Sequence, residues 1–185
     1  MRISQGNNNG KRGFHVKNIV LTGFMGSGKT VAARELARLL GMRVIDVDAE
    51  IEKSTNMTIN EIFQKFGEPR FREIETEIIK QVSENKSVII STGGGAVLKQ
   101  ENMDALRGHG VIVYLTAGPE TILERTRSTT DRPLLHVDNP LERIKELLQL
   151  REPFYGKADI MIDTENKTPL QIAEEIIERM KEEQH

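Results

Sequence analysis

Apolar residues along the chain form short continuous runs, and these runs alternate with segments of helical periodicity. The runs are rich in β-branched residues, and continuous rather than alternating runs are typical of strands buried on both faces of a sheet. They are NIVLTG (18–23), RVID (43–46), SVIIST (87–92), VIVYLT (111–116) and a weaker DIMID (159–163). Alternating strands and helices predict an α/β fold, with a parallel sheet covered on both sides.

The segments between these runs are amphipathic, and several have recognisable helix ends. VAARELARLLG ends at Gly41, a residue suited to the turn after a helix, and TINEIFQKF opens with Thr58 and Glu61 at the spacing of a capping box. Further amphipathic segments are FREIETEIIKQVSE, NPLERIKELLQLREPFYG and TPLQIAEEIIERMKEE. The irregular stretch RSTTDRPLLHVDNP lies between two helices, and its length predicts a lid at about 127–140.

Length and composition predict one ordinary globular domain. The chain has 185 residues, of which 37% are hydrophobic and 29% charged. Residues 1–16 are polar and lack an apolar signal region, so we expect a flexible N-terminal tail before a single domain at 17–185. No stretch approaches the roughly 18 apolar residues that a membrane span needs.

The charge balance and the metal-binding residue types exclude several functions. A net charge of −2 offers no basic field for nucleic acid, so any anion site has to be local. The cysteine count of 0 excludes disulfides and thiolate–metal sites, and it favours a cytoplasmic location. The 4 histidines show no metal-binding spacing and receive no role.

The stretch GFMGSGKT (23–30) follows the first strand and precedes a helix, which is the context of a phosphate-binding loop. Its glycines let successive N–H groups face one anion, and the helix N-terminus adds positive potential. Lys29 supplies a charge for the β- and γ-phosphates, and the Thr30 hydroxyl suits Mg²⁺. The loop therefore predicts a nucleoside triphosphate. A GTPase is disfavoured because NKTP (166–169) is not a guanine-reading N-K-x-D element.

Carboxylates and glycines follow the second and third strands, at the edge where open α/β sheets build their sites. Asp46 and Asp48 point the same way if the chain is extended, so that one suits the Mg²⁺ shell and the other an attacking hydroxyl. An N-cap role for Asp48, with Asp46 ending the strand, explains the pair equally well. Glycines 93–95 let the backbone donate N–H groups to a ligand, or form a simple flexible turn.

Four arginines lie near the same edge although the chain has no basic excess. Arg132 lies in the candidate lid, where it can neutralise transition-state charge. Arg72 and Arg151 suit a bidentate clamp on a carboxylate, and Glu75, one turn after Arg72, can hold its guanidinium. Together with Arg125, these residues indicate a small anionic substrate rather than a polymer.

The ordered set of motifs resembles the shikimate kinase family, in the nucleoside-monophosphate-kinase-like branch of P-loop folds. The motifs are GFMGSGKT, DVD, FREIE, STGGG, RT…DRPLL and LREPFY, within residues 19–155. The resemblance implies a three-layer α/β/α P-loop kinase fold, with a five-stranded parallel sheet in the order 2-3-1-4-5, and a monomer. It implies transfer of the γ-phosphoryl group of ATP to the 3-hydroxyl of shikimate, a step toward chorismate and the aromatic amino acids.

The resemblance also assigns roles to matching residues. The residues implied for catalysis are Lys29, Asp48 and Arg132, and those for Mg²⁺ are Thr30 and Asp46. The residues implied for ATP are Gly26, Ser27, Gly28, Lys29, Thr30, Arg125 beside the adenine, Arg132, and Lys167 in the adenine-edge loop DTENKTP. The residues implied for shikimate lie mainly in a region at about 48–83 and are Asp48, Phe63, Arg72, Gly93, Gly94, Gly95 and Arg151.

Two other functions stay open at this point. A gluconate- or nucleotide-type kinase of the same fold would need another acceptor pocket, and FREIE with LREPFY argues against it. A nucleotide-binding regulatory module would be expected to keep the phosphate loop and lose the acceptor residues, whereas Asp48, Arg72 and Arg151 are all present.

Overall fold

The computed structural model describes residues 17–127 and 137–183. Within these ranges the strands and α-helices alternate along the chain, apart from two pairs of consecutive helices. The elements are β1 (Asn18–Thr22), α1 (Lys29–Leu40), β2 (Arg43–Asp46), α2 (Val47–Thr55), α3 (Ile59–Ser83), β3 (Val88–Ser91), α4 (Gln100–His109), β4 (Gly110–Thr116), α5 (Pro119–Thr126), α6 (Pro140–Tyr155), β5 (Ile160–Asp163) and α7 (Pro169–Glu182).

The five strands form one parallel sheet in the order β2-β3-β1-β4-β5, which confirms the expected order. Every residue of β1 and β3 is buried, and this explains why their apolar runs are continuous. The edge strand β5 instead alternates: Ile160 and Ile162 are buried, whereas Met161 is exposed. The weaker apolar pattern of β5 therefore reflects its place at the edge of the sheet.

Helices cover both faces of the sheet. Ile19 and Leu21 of β1 pack with α1 and α7, whereas Val20, which points the other way, packs with α2, α3 and α4. The expected three-layer arrangement is thereby confirmed. A smaller apolar cluster beside the phosphate loop joins Phe24 to α5 and α6 through Ile122 and Ile144.

Helix ends follow the signals in the sequence. Gly41 has φ 66° and its N–H bonds to the Ala37 carbonyl, and Thr58 with Glu61 forms the capping box. The segments TINEIFQKF and FREIETEIIKQVSE, expected as two helices, are the two parts of α3 on either side of a break at Gly67. The φ of 78° and ψ of 172° at Gly67 are not helical and lie in a region that favours glycine.

The expectation of an extended chain through the two aspartates is wrong, because β2 ends at Asp46 and α2 begins at Val47. Asp46 is the N-cap of α2, and its Oδ1 accepts from the backbone N–H of Ala49 at 3.1 Å. The cap is therefore Asp46 and not Asp48, which lies in the first turn of the helix. Capping satisfies an N–H that would otherwise lack an acceptor, and this favours an early helix start.

Two sequence-based expectations fall on residues outside the described ranges. These are the flexible tail at 1–16 and most of the lid stretch, since residues 128–136, including Arg132, are not described. Among the described residues, no helix has both the length and the apolar character needed to cross a membrane.

Candidate active site

The loop between β1 and α1 has the backbone of an anion cradle. Gly26 and Gly28 have φ of 77° and 98°, a conformation that side chains disfavour, and a Cβ on Gly26 would lie 2.9 Å from a methyl of Thr126. Gly28 gives α1 no side-chain cap, so the first N–H groups of that helix are available to a bound anion. The Lys29 Nζ donates to the carbonyl of Gly23 at 2.8 Å, and this bond holds the lysine ammonium group over the loop.

The two hydroxyl residues of the loop occupy different environments. Ser27 is fully buried, and its Oγ has no hydrogen-bond partner, while its N–H donates to the Phe24 carbonyl at 3.1 Å. Thr30 is exposed in the first turn of α1. Thr30 is therefore accessible to a hydrated cation, whereas Ser27 stabilises the loop from inside.

Charged side chains from α2, α3 and α6 converge on the glycine triplet after β3. A Cβ on Gly93 would lie 2.9 Å from Asp48 Oδ1 and 3.3 Å from Glu75 Oε1, so α2 and α3 meet here. A Cβ on Gly94 would lie 3.3 Å from Arg151 Nη1, and at the same distance from the carbonyl of Gly23 in the phosphate loop. The triplet therefore lies between the phosphate loop and three charged side chains.

Arg72 approaches the glycine triplet from α3. Its Nη1 donates to Glu75 Oε2 at 2.7 Å, which confirms the expected pairing, and its Nη2 donates to Glu68 at 3.0 Å. The guanidinium also lies 5.1 Å from the centre of the Phe71 ring. Two carboxylates and an aromatic face thus hold the Arg72 side chain in one orientation.

Gly95 leaves room for the Arg72 guanidinium. Its φ of −95° suits any residue, but a Cβ would lie 2.5 Å from Nη2 and 2.6 Å from Nη1 of Arg72. Gly95→Ala is therefore expected to displace Arg72 and to raise the KM for the carboxylate substrate predicted from the sequence at least about tenfold, or about 1.4 kcal/mol. Steady-state kinetics measure this effect. Gly108→Ala is the control, because a Cβ there meets nothing within 4 Å, and an unchanged KM in Gly95→Ala would contradict the argument.

Glu75 is a buried carboxylate, and only 1% of its surface is exposed. Burial raises the pKa of Glu75 above its ordinary value; Arg72 opposes this rise, and the charge of Asp48 adds to it. Its Oε1 has no hydrogen-bond partner, which leaves that oxygen directed at the glycine triplet. A carboxyl group with a raised pKa binds its proton more tightly in the folded state than in the unfolded state.

This linkage predicts a pH-dependent difference in stability between the natural protein and Glu75→Gln. As pH rises above about 4.5, the unfolded carboxyl ionises first, so the stability of the natural protein should fall relative to that of the variant. Chemical denaturation between pH 4 and 8 measures the difference in unfolding free energy. The prediction is contradicted if the unfolding free energy of the natural protein minus that of Glu75→Gln stays constant or increases as pH rises. Glu73→Gln, at an exposed position of α3, controls for removal of a carboxylate from this helix.

Arg151 approaches the pocket from α6 and is almost fully buried, with 4% of its surface exposed. Its Nε and Nη1 have no hydrogen-bond partner, and its guanidinium carbon lies 5.2 Å from the centre of the Phe24 ring. Burying a cation with unsatisfied donors costs folding free energy unless an anion accepts hydrogen bonds from those donors. Its contacts with Gly94 and Phe24 place these donors beside both the triplet and the phosphate loop.

Two aromatic rings form an apolar side of the region at 48–83. Phe63 is half-buried, and its ring centre lies 4.6 Å from that of Phe71. Phe63 precedes the break in α3 at Gly67, whereas Phe71 and Arg72 follow it.

On the nucleotide side, Arg125 links the phosphate loop to the loop after β5. Its Nη1 donates to the Gly26 carbonyl at 3.3 Å and to Thr164 Oγ1 at 3.0 Å. A Cβ on Gly28 would lie 4.0 Å from the same nitrogen. Lys167 lies in the loop after β5, but its Nζ donates to Glu175 on α7 at 2.6 Å. The structure thus brings Arg125 to the phosphate loop, whereas Lys167 is paired with Glu175 on α7.

Comparisons with known proteins agree with this arrangement. The family model for shikimate kinase matches residues 25–181. A shikimate kinase from Thermodesulfovibrio yellowstonii is 57% identical over 162 residues, which cover 88% of this chain and 94% of that protein. The chain belongs to the shikimate kinase family. The enzyme is accordingly an ATP-dependent kinase, as its loop and acceptor motifs predict.

Other relatives of the kinase extend the comparison. The shikimate kinase of Caldanaerobacter subterraneus is 49% identical to it over 162 residues, covering 88% of this chain and 95% of the relative. The solved structure of an Acinetobacter baumannii shikimate kinase in complex with shikimate superposes with a TM-score of 0.87 at 38% identity. That match covers 91% of this chain and 94% of the other.

Two aromatic residues of the site received no role in the sequence analysis. Phe24 lies against Arg151, and Tyr155 donates from its hydroxyl to the Gly94 carbonyl at 2.7 Å. A signal for Tyr155 was present, because it follows Arg151 by four residues in a helix, and residues at that spacing share a face. Phe24, inside a glycine-rich loop, has no periodicity that would mark it as a core residue.

Proposed function

We propose that this kinase transfers the γ-phosphoryl group of ATP to the 3-hydroxyl of shikimate, and that the residues around the glycine triplet bind this acceptor. The observation that carries the proposal is the Arg151 guanidinium, which is buried and has unsatisfied donors beside Gly94 and the phosphate loop. An acceptor carboxylate would supply the missing partners at this point. Arg72, across the triplet, suits the second half of the clamp.

The donor half of the reaction is assigned to the phosphate loop. The backbone of Gly26 and Gly28 and the first turn of α1 bind the phosphates, and Lys29 supplies a cation as charge develops. Arg125, fixed between Gly26 and Thr164, suits a position beside the adenine. Arg132 is proposed for the transition-state charge, and Lys167 for the adenine edge.

Thr30 and Asp46 offer oxygen atoms of the kind that a magnesium ion binds. Thr30 is exposed, and the N-cap engages only Oδ1 of Asp46 in a described hydrogen bond, which leaves Oδ2 as a ligand. Bound Mg²⁺ would neutralise charge on the phosphates. The described residues contain no cluster of three carboxylates or histidines that would hold a metal alone, so we infer that the ion depends on ATP for further ligands.

Asp48 is proposed as the residue that orients and deprotonates the attacking hydroxyl. It lies at the point where α2 meets the triplet, with its Oδ1 2.9 Å from the position of a Cβ on Gly93. The same helix turn carries the capping residue Asp46, so the backbone that positions Asp48 is fixed by a hydrogen bond. Phe63 would pack against the ring of the acceptor.

The test is release of ADP from Mg·ATP with and without shikimate. We expect release to depend on shikimate, with gluconate and nucleoside monophosphates inactive as acceptors. Release with gluconate or a nucleotide would favour the other kinase type, and ATP binding without turnover would favour a regulatory module. Either result would refute the proposal. Omission of Mg²⁺ should abolish turnover.

We infer a monomeric enzyme from the resemblance of the motifs to the shikimate kinase family. Size-exclusion chromatography with light scattering at assay concentrations should give a mass near 20.9 kDa. A cytoplasmic location stays a prediction from the sequence.

A further inference from the structure

Tyr155 occupies a position that the reaction outlined above does not use. It ends α6, and only 1% of its surface is exposed. Its hydroxyl donates to the Gly94 carbonyl at 2.7 Å, and the position of a Cβ on Gly94 lies 3.3 Å from Arg151 Nη1. Gly94 therefore lies between the Tyr155 hydroxyl and the buried cation.

The direction of these contacts follows from the chemistry of the phenol. Burial raises the pKa of Tyr155 to about 12, and the charge and hydrogen bond of Arg151 oppose that rise. The phenol is therefore protonated at neutral pH and donates its proton to the Gly94 carbonyl.

The ring of Tyr155 is fixed independently of its hydroxyl. It stacks on Tyr114 of β4 with ring centres 4.4 Å apart and an angle of 6° between the planes. Since Tyr114 lies in the sheet, the stack anchors the end of α6 to β4. The hydroxyl is thereby presented to Gly94 from a rigid support.

We propose that Tyr155 is a positioning residue for acceptor recognition: its hydrogen bond to the Gly94 carbonyl fixes the glycine triplet beside the Arg151 guanidinium and so sets the geometry of the carboxylate site. The proposal rests on the proposed function, because it assumes that the pocket binds the shikimate carboxylate. Tyr155 does not contact the reacting atoms. Its effect should fall on the acidic end of the acceptor and not on ATP.

Tyr155→Phe tests this, because it removes the hydroxyl and keeps the stacked ring. We expect the KM for shikimate to rise about three- to tenfold, the range that one neutral hydrogen bond supports, and the KM for ATP to change less than about twofold. The preference for shikimate over its carboxamide, as the ratio of kcat/KM values, should fall by a similar factor. Tyr114→Phe, which removes the other hydroxyl of the stack, is the control and should keep the natural preference.

A merely structural role would give a different result. It would change kcat/KM for the acid and for the carboxamide equally, and this outcome would overturn the proposal. A double-mutant cycle gives a second test, with the Kd for shikimate measured by calorimetry. The effect of Tyr155→Phe should disappear in the Arg151→Met background, because the position of Gly94 should matter little once the Arg151 guanidinium is absent. Additive effects of the two substitutions would also overturn the proposal. Shikimate-dependent ADP release by the natural enzyme separates these outcomes from failure of the proposed function.

Discussion

Replacing Asp48 with asparagine is expected to lower kcat by about 10²–10⁴-fold, the range for loss of a positioned acid–base group. The amide keeps the size of the side chain but cannot accept the proton of the attacking hydroxyl. Asp48 lies in the first turn of α2, beside Gly93, so the change leaves the phosphate loop intact. The Kd for ATP should therefore stay within about twofold. Single-turnover kinetics and calorimetry measure the two quantities.

Asp46→Asn provides the matched comparison. Asparagine caps a helix as well as aspartate does, so α2 should keep its start and its stability. Loss of the charge should instead raise the Mg²⁺ concentration needed for half-maximal rate. A rate for Asp48→Asn within tenfold of the natural enzyme would refute the assignment of the base.

Replacing Arg151 with methionine is expected to stabilise the ligand-free protein while abolishing effective recognition of the acid. The guanidinium is buried, and two of its nitrogens lack partners, whereas methionine fills a similar volume without a charge. Replacing buried ionic groups with well-packed hydrophobic residues is often neutral or stabilises a protein by about 1–4 kcal/mol, and a buried cation without partners is expected at the stabilising end. For a domain of this size that corresponds to a rise in Tm of about 2–4 °C per kcal/mol. Scanning calorimetry measures the rise.

The kinetic half of this prediction is a large and selective loss. The KM for shikimate should rise by about 10²-fold or more, because a charge-assisted bidentate contact is lost, with far less effect on ATP. Arg107→Met is the control: it removes an arginine whose Nη2 donates to the Lys157 carbonyl at 2.8 Å, away from the site, and should lower the stability slightly. Arg151→Met would contradict the interpretation if it were less stable than the natural protein.

The opposite signs of these two effects have one physical cause. In the proposed function the unsatisfied buried charge of Arg151 binds an anion, so stability and function conflict at this residue. Bound shikimate should restore stability to the natural protein but not to the variant.

The sheet could be predicted from the sequence because burial on both faces leaves a continuous apolar run. The phosphate loop could be predicted equally well, because Gly26 and Gly28 adopt a backbone conformation with positive φ that few other residues tolerate. Helix α4 was not foreseen as a separate element, and α2 and α5 were foreseen only indirectly, α2 through the N-cap role considered for Asp48 and α5 as a helix before the lid stretch. Each has 8–10 residues, and each carries few of the buried residues that produce a helical period.

Only part of the candidate site could be predicted, because some of its contacts join residues that are far apart in sequence. The pairing of Arg72 with Glu75 follows from local helical spacing, and the structure contains it. The contact of Gly95 with Arg72 joins residues far apart in sequence, so no local pattern can show it. The early start of α2 depends on the Asp46 side chain capping its own backbone, which competes with continuation of the strand.

The stacking of Tyr114 on Tyr155 also has a spectroscopic consequence. The chain contains no tryptophan and 2 tyrosines, and these are the two residues of the stack. Tyrosine fluorescence and most of the absorbance near 280 nm therefore arise from a single place in the molecule, where the phenol of one ring contacts the Gly94 carbonyl. The protein thus contains an intrinsic optical reporter beside the proposed acceptor site, without any introduced label.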